Sequence, residues 1–256
     1  MPTPTNRLKA RMQAGDTLFG IWLGTGSAYM AELGGRAGFD WVLVDGEHGP
    51  NAIPGIAAQL QVLDGLGTDV LVRLPMGEDW MIKQALDIGA QTLLIPMVES
   101  GADAARIVSA TRYAPQGHRG MGAALARASQ FGAIADYTHT ANDQICVMVQ
   151  VETRAGYDAL DDILAVDGVD AVFIGPADLS ADMGFPGNPK ADEVQAVIAD
   201  TLRRTAAAGK VAAIMSTTDA DTPKHLENGA TFVAVGIDIT LMREALAAKA
   251  AVWCKE

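Results

Sequence analysis

Three ionisable side chains crowd the end of one apolar run. In "WVLVDGEHGPN" (41–51), four apolar residues give way to Asp45, Glu47 and His48, with glycines between them. An imidazole beside carboxylates is equipment for general acid–base chemistry near neutral pH. A second polar pair, Gln150 and Glu152, alternates with valines in "CVMVQVE" (146–152), and Asp178 follows in "GPADLS" (175–180). Two carboxylates held close together repel unless one is protonated or a cation lies between them. A hard divalent ion suits such a pair, because Mg²⁺ takes one or two protein carboxylates and keeps positions for water or substrate. Arg73, inside the apolar run "VLVRLP" (70–75), buries a permanent charge that calls for an anionic partner. Together these groups describe a site that binds a small oxyacid and stabilises an enolate.

A missing residue is also informative. A Schiff-base aldolase needs a lysine at the reacting centre. Of the seven lysines (Lys9, Lys83, Lys190, Lys210, Lys224, Lys249, Lys255), only Lys210 touches a strand candidate, and it precedes that strand. Each functional residue also has a structural alternative. His48 could cap a turn, Glu152 could pair with an arginine, Arg73 could serve a buried ion pair, and Asp45 could only fix its loop. Trp22 and Met215 could be plain pocket wall. What favours chemistry is that the whole set falls at strand ends.

Eight short apolar runs carry these residues: 18–24, 40–44, 69–75, 92–98, 146–152, 171–175, 211–215 and 232–236. Helix-compatible, alanine- and leucine-rich stretches separate them, as in 51–67, 79–90 and 191–209. Eight repeats of strand then helix predict an α/β fold, a single (β/α)8 TIM barrel over residues 1–256. A doubly wound sheet is the alternative, but "GTGSAY" (24–29) lacks the full GxGxxG turn. In a barrel, chemistry gathers at the carboxyl ends of the strands, so Trp22, Asp45, His48, Arg73, Gln150, Glu152, Asp178 and Met215 share one mouth. Residues 114–143 are too long for a crossover helix alone and are expected to form an active-site loop or an interface element. The last run, 240–256, reads as a helix with exposed apolar residues.

Bulk composition narrows the partners. A net charge of −12 opposes nucleic-acid phosphates. The longest apolar runs are strand-length, so no membrane span is expected. The first residues lack the apolar core of a secretory signal, and two distant cysteines, Cys146 and Cys254, fit a reducing cytoplasm. A small-molecule substrate is the expected partner.

The chain resembles the HpcH/HpaI aldolase family of metal-dependent pyruvate aldolases. The likeness runs through "FGIWLGTGS" (19–27), "FDWVLVDGEHGPN" (39–51), "VLVRLP" (70–75), "GAQTLLIPMVES" (89–100), "YAPQGHRGMG" (113–122), "VQVETRAG" (149–156) and "VFIGPADLSADMG" (172–184). The resemblance implies retro-aldol cleavage of a 4-hydroxy-2-oxo acid to pyruvate and an aldehyde, with Mg²⁺, Mn²⁺ or Co²⁺ as cofactor. It makes His48 the general base, Arg73 the transition-state cation, and Glu152 and Asp178 the metal ligands. It places the pyruvyl group on Gln150 and the Ala177–Asp178 backbone, lets Met215 shape the aldehyde pocket, and assigns Asp87 to raising the basicity of the histidine. Asp87 falls near the end of its helix, at the barrel's amino face, so that role is expected only across a subunit boundary. The family's last helix packs on a partner within a hexamer, a trimer of dimers, and a homo-oligomer with an exchanged C-terminal helix is the corresponding expectation. Two rival functions remain: a lyase of malyl- or citryl-CoA, which would need a basic patch for the CoA phosphates, and a non-catalytic barrel that binds an oxyacid.

Overall fold

The computed structural model describes residues 1–254. Eight strands, β1 (Leu18–Leu23), β2 (Trp41–Asp45), β3 (Asp69–Arg73), β4 (Thr92–Ile95), β5 (Cys146–Val151), β6 (Ala171–Ile174), β7 (Val211–Met215) and β8 (Ala230–Ile237), close into a barrel in sequence order. Every pairing is parallel, and β8 returns to β1. The strands are apolar on both faces because both are covered. Outward residues such as Val42, Val44, Val72, Leu93 and Val149 pack under the helices.

The inward residues change character along the barrel axis. Near the amino end, Leu18, Trp41, Leu71, Cys146 and Ala171 fill the interior, with Leu43, Met148, Phe173 and Phe232 above them. The Trp41 and Phe232 rings stack with centroids 4.2 Å apart. Gly20 has to be glycine there, since a β-carbon would enter the Trp41 indole. One step further along the same inward columns stand Asp45, Arg73 and Gln150. The period-2 alternation thus sets the polar layer directly on the packed one. Leu8 and Met12 of the first helix, Arg7–Gln13, plug the opposite end.

Residues 114–143 do not form a loop at the mouth of this barrel. The helix Gly101–Thr111 runs back toward the amino face, and the extra segment begins only after it. Tyr113, Ile134, Tyr137 and Ala141 give the segment a small core of its own, and Arg127 ties it to the carbonyl of Ile88, just before β4. None of its residues lines the mouth cavity.

The last helix, Asp238–Trp253, buries only Asp238. Leu246, Val252 and Trp253 are 64–76% exposed. The final two residues of the predicted 240–256 run lie outside the described residues. No helix among the described residues is long and apolar enough to cross a membrane.

Candidate active site

At the carboxyl end of the barrel, a cavity of about 260 Å³ is lined by Trp22, Asp45, His48, Arg73, Gln150, Phe173, Ala177, Asp178 and Met215, among others. The expected site residues therefore meet, apart from Asp87 and, at the cavity surface itself, Glu152.

Asp45 is the pivot of the β2 end. Its Oδ1 accepts from the Glu47 and His48 backbone N–H groups at 3.0 and 3.4 Å, folding "DGEH" into a tight turn. The β2–β3 register sets Asp45 opposite Arg73. The guanidinium grips the carboxylate with two bonds, Nε to Oδ1 at 2.9 Å and Nη2 to Oδ2 at 2.7 Å. Burial pushes the Asp45 acid upward, but the Arg73 hydrogen bonds and charge, with the two backbone donors, hold it below its ordinary value. No hydrogen bond runs from Asp45 to the His48 ring; its contacts fix the turn and the arginine.

Asp45→Asn tests this assignment. Neutralising one partner of a buried ion pair should cost about 2–4 kcal/mol of unfolding free energy at pH 7. Because the folded acid is depressed, its stabilisation is present above the unfolded pKa of about 3.9 and is lost as pH falls through the lower folded value. Urea unfolding at pH 7 and at pH 3 should show a gap between wild type and variant at the first pH that narrows at the second. An equal gap at both would remove the ion pair from the account.

Arg73 is only 6% exposed and carries a second carboxylate. Its Nη1 lies 2.7 Å from Glu47 Oε2, near in distance but off-line for a hydrogen bond. Its guanidinium also sits 5.1 Å above the Trp22 ring. Burial raises the Glu47 acid, Arg73 and His48 offset part of that, and Asp45 and Asp178 add to it. Glu47 is the site member whose contribution sequence reasoning missed, although it stood in the quoted motif. His48 projects from the rim with its side chain 69% exposed, Nε2 4.0 Å from Glu47 Oε2.

Glu152 lies just past β5 and is buried. Its Oε1 accepts from the Met97 N–H at 2.9 Å, and its Oε2 accepts from Gln150 Nε2. Met97 takes a left-handed backbone (φ 56°) to present that N–H, a conformation costing a β-carbon-bearing residue of order 1–3 kcal/mol. No sequence signal marked this, because β4 stops at Ile95 and Met97 lies beyond the strand. Burial, chiefly, pushes the Glu152 acid up to about 7; Met97 and Arg73 oppose the shift, and the nearby Asp178 and Glu47 charges reinforce it. Asp178 stands in the first turn of the helix Pro176–Asp182 and faces the cavity.

These residues suit a divalent ion. Glu47, Glu152 and Asp178 act on one another with Arg73 offsetting only part of their charge at Glu152, and the buried Gln150 Oε1 has no hydrogen-bond partner. Gly175 leaves open space beside them, since a β-carbon there would run into Glu152 Oε2 and lie 2.6 Å from Gln150 Nε2. No group of three or more His, Cys, Asp or Glu forms a full metal cage among the described residues. The fit is accordingly to an ion held by two carboxylates, with its other positions left to water and substrate.

Asp87 is elsewhere. At the end of the helix Asp79–Asp87 it pairs with the buried Arg119 at 2.7 Å and does not line the cavity, so within one chain it does not act on His48.

The sequence profile described as "HpcH/HpaI aldolase/citrate lyase" matches residues 18–245. The chain belongs to the HpcH/HpaI aldolase/citrate lyase family. Within that family it is 54% identical to the hydroxypyruvate/pyruvate aldolase of Roseovarius nubinhibens, over 99% of this chain and 98% of the relative. It is 51% identical to the 4-hydroxy-2-oxo-heptane-1,7-dioate aldolase of Salmonella dublin, over 95% and 94% of the two chains. Among solved structures, an HpcH/HpaI aldolase/citrate lyase family protein from Burkholderia cenocepacia J2315 superposes with a TM-score of 0.92 at 38% identity, covering 97% of this chain and 99% of the other.

Proposed function

We propose that this chain is a divalent-metal-dependent pyruvate aldolase. It cleaves a 4-hydroxy-2-oxo acid to pyruvate and an aldehyde, and joins them in the reverse direction. Membership of an aldolase family, with relatives above 50% identity named as pyruvate and hydroxypyruvate aldolases, supports the carbon–carbon lyase chemistry. The observation that carries the reading is the meeting of Asp178 and Arg73 in one small cavity, with the buried Glu152 close enough to both to feel their charges.

Glu152 and Asp178 would hold the ion, which when bound supplies Lewis-acid polarisation of the 2-oxo group. Gln150 and the backbone at Ala177–Asp178 orient the pyruvyl end. Arg73, locked by Asp45, presents fixed positive charge where negative charge develops as the C3–C4 bond breaks. His48, at the rim and open to solvent, takes the C4 hydroxyl proton directly or through a water. Mg²⁺, Mn²⁺ and Co²⁺ are the expected ions. The exposed apolar face of the last helix supports burial against another copy of the chain, within a homo-oligomer such as a trimer of dimers. Asp87 would reach a His48 only across such a boundary. A cytoplasmic site of action fits the reduced cysteines.

The CoA-lyase reading lacks its recognition chemistry, because among the described residues Arg73 is the sole lysine or arginine lining the mouth cavity and is already engaged by Asp45 and Glu47. The binding-protein reading uses the arginine and the acids to hold an oxyacid but gives His48 at the rim no proton to move. A dehydrogenase-coupled assay of pyruvate release, with acetyl-CoA formation from malyl-CoA followed in parallel, separates all three. EDTA should abolish release from 4-hydroxy-2-oxo acids, added Mg²⁺ or Mn²⁺ should restore it, and malyl-CoA should not be cleaved. Full turnover in EDTA, or cleavage of the thioester alone, would overturn the proposal.

A further inference from the structure

The side chain of His48 is held by little besides its own backbone. It is 69% exposed, and Glu47 Oε2, 4.0 Å from Nε2, is its one ion-pair neighbour among the described residues. The place of the imidazole is therefore set by the turn 45–51 that carries it, and the Asp45 carboxylate fixes only part of that turn. Another part leans on residues 24–27, the loop after β1, backbone against backbone. A β-carbon on Gly49, next to His48, would stand 3.1 Å from the Gly24 carbonyl oxygen, and one on Gly26 would stand 3.1 Å from the Pro50 ring. Gly26 is also left-handed at φ 69°, a conformation that favours glycine.

What fixes residues 24–27 comes from the far edge of β1. That strand lies between β2 and β8, with Leu23 opposite Val44 on one edge and Trp22 opposite Ile237 on the other. The register brings Gly24 and Thr25 beside Asp238, which follows β8 and begins the last helix. Asp238 is 7% exposed. Its Oδ1 accepts from the Gly24 N–H at 2.8 Å and the Ile239 N–H at 2.7 Å, and its Oδ2 accepts from the Thr25 hydroxyl at 2.9 Å and the Thr25 N–H at 3.3 Å. Burying a carboxylate is costly unless its oxygens are hydrogen-bonded, and one that accepts from backbone N–H groups holds that backbone firmly. The loop after β1 is thus tied to the root of the last helix, a helix that buries no other residue.

We infer that Asp238 is a positioning residue for the proton transfer assigned to His48. Through residues 24–27 it holds the turn 45–51, and so sets where the imidazole meets the C4 hydroxyl. Asp238 is not among the residues lining the mouth cavity, so it acts through the backbone of others. The inference rests on the aldolase reading of His48. A misplacement of about 1 Å at a reacting group is enough to cost large factors in rate. Loosening Asp238 therefore slows the step that needs His48 and spares a step that does not.

Two reactions of the Mg²⁺-loaded enzyme separate these steps. Cleavage of a 4-hydroxy-2-oxo acid needs the C4 hydroxyl proton removed. Oxaloacetate reaches the same pyruvate enolate when its C3–C4 bond breaks and carbon dioxide leaves, the bond pair passing to the enolate with no hydroxyl proton to remove. Both are read as pyruvate release. Asp238→Asn keeps the shape but turns an amide N–H₂ toward backbone groups that themselves donate. Its kcat for cleavage should fall by on the order of tenfold while decarboxylation stays within about twofold of wild type. Gly26→Ala, which presses the loop on Pro50 and leaves Asp238 intact, should give the same selective loss, and it decides the matter if Asp238→Asn does not fold. A wild-type cleavage rate, or an equal fall in both reactions, in either variant would overturn the inference. His48→Ala keeps the two levels apart, since it should lose cleavage and retain decarboxylation. With that result, failure in the Asp238 and Gly26 variants removes this inference alone. Cleavage by His48→Ala at the wild-type rate, or equal loss of both its reactions, removes the reading of His48 as well.

Discussion

Arg73→Ala is expected to reduce kcat/KM for retro-aldol cleavage by about 10²–10³-fold, the scale of losing a preorganised charge at a developing oxyanion. The loss should fall mainly on kcat, because a charge aimed at the enolate oxygen matters most in the transition state. Arg73→Lys should recover little. An ammonium cannot reproduce the two-pronged grip on Asp45 while also facing Glu47 and the cavity. The alanine variant also leaves the buried Asp45 carboxylate without its cation, so a fall in unfolding free energy of roughly 3–5 kcal/mol accompanies the kinetic loss. Thermal unfolding and steady-state kinetics of both variants separate the two effects, since lysine should restore part of the stability while turnover stays low. A near-normal rate in either variant would reassign Arg73 to structure alone.

Glu152→Gln is expected to move activity and stability in opposite directions. Turnover should fall by at least about 10²-fold, because a neutral amide replaces one of the two acids proposed to hold the ion. Stability of the metal-free protein should rise at alkaline pH. The folded acid titrates near 7, well above its ordinary value of 4.5, so the folded state binds the proton more tightly than the unfolded chain. A raised acid of this kind costs nothing below the unfolded pKa and loses stability as pH rises through the folded one. The substitution removes that loss, on the order of 3 kcal/mol above pH 8, while matching wild type near pH 4. Unfolding in EDTA at both pH values reads the effect. A variant that is less stable at pH 8, or fully active, would contradict the assignment.

The barrel and its mouth were legible in the sequence because both rest on short-range periodicities. Apolar runs of strand length recur eight times, and period-2 alternation by itself assigns Gln150 to the interior, where it stands. What escaped was the division of labour between neighbours. Asp45 and Glu47 have the same chemistry in the same motif, yet cross-strand register gives Asp45 the two-pronged contact with Arg73 and leaves Glu47 the looser one. Register between β2 and β3 is a tertiary fact that neither strand states alone. Met97 escaped for a related reason: its N–H reaches Glu152 only through a left-handed backbone 55 residues away in sequence. For segment 114–143, a long gap between strands does not reveal whether the surplus precedes or follows the crossover helix. It follows, and so lies at the amino face. The placing of Asp87 at that same face was correct, and its observed partner is Arg119.

Manganese binding tests the central claim most directly, since Mn²⁺ reports its own coordination by electron paramagnetic resonance. Titration of the purified chain should show one ion per subunit, with a spectrum that changes when oxalate is added as a mimic of the pyruvyl enolate. Asp178→Asn and Glu152→Gln should each weaken that binding by about 10–100-fold or more. Unaltered manganese binding in both variants would mean that the two acids do not share an ion.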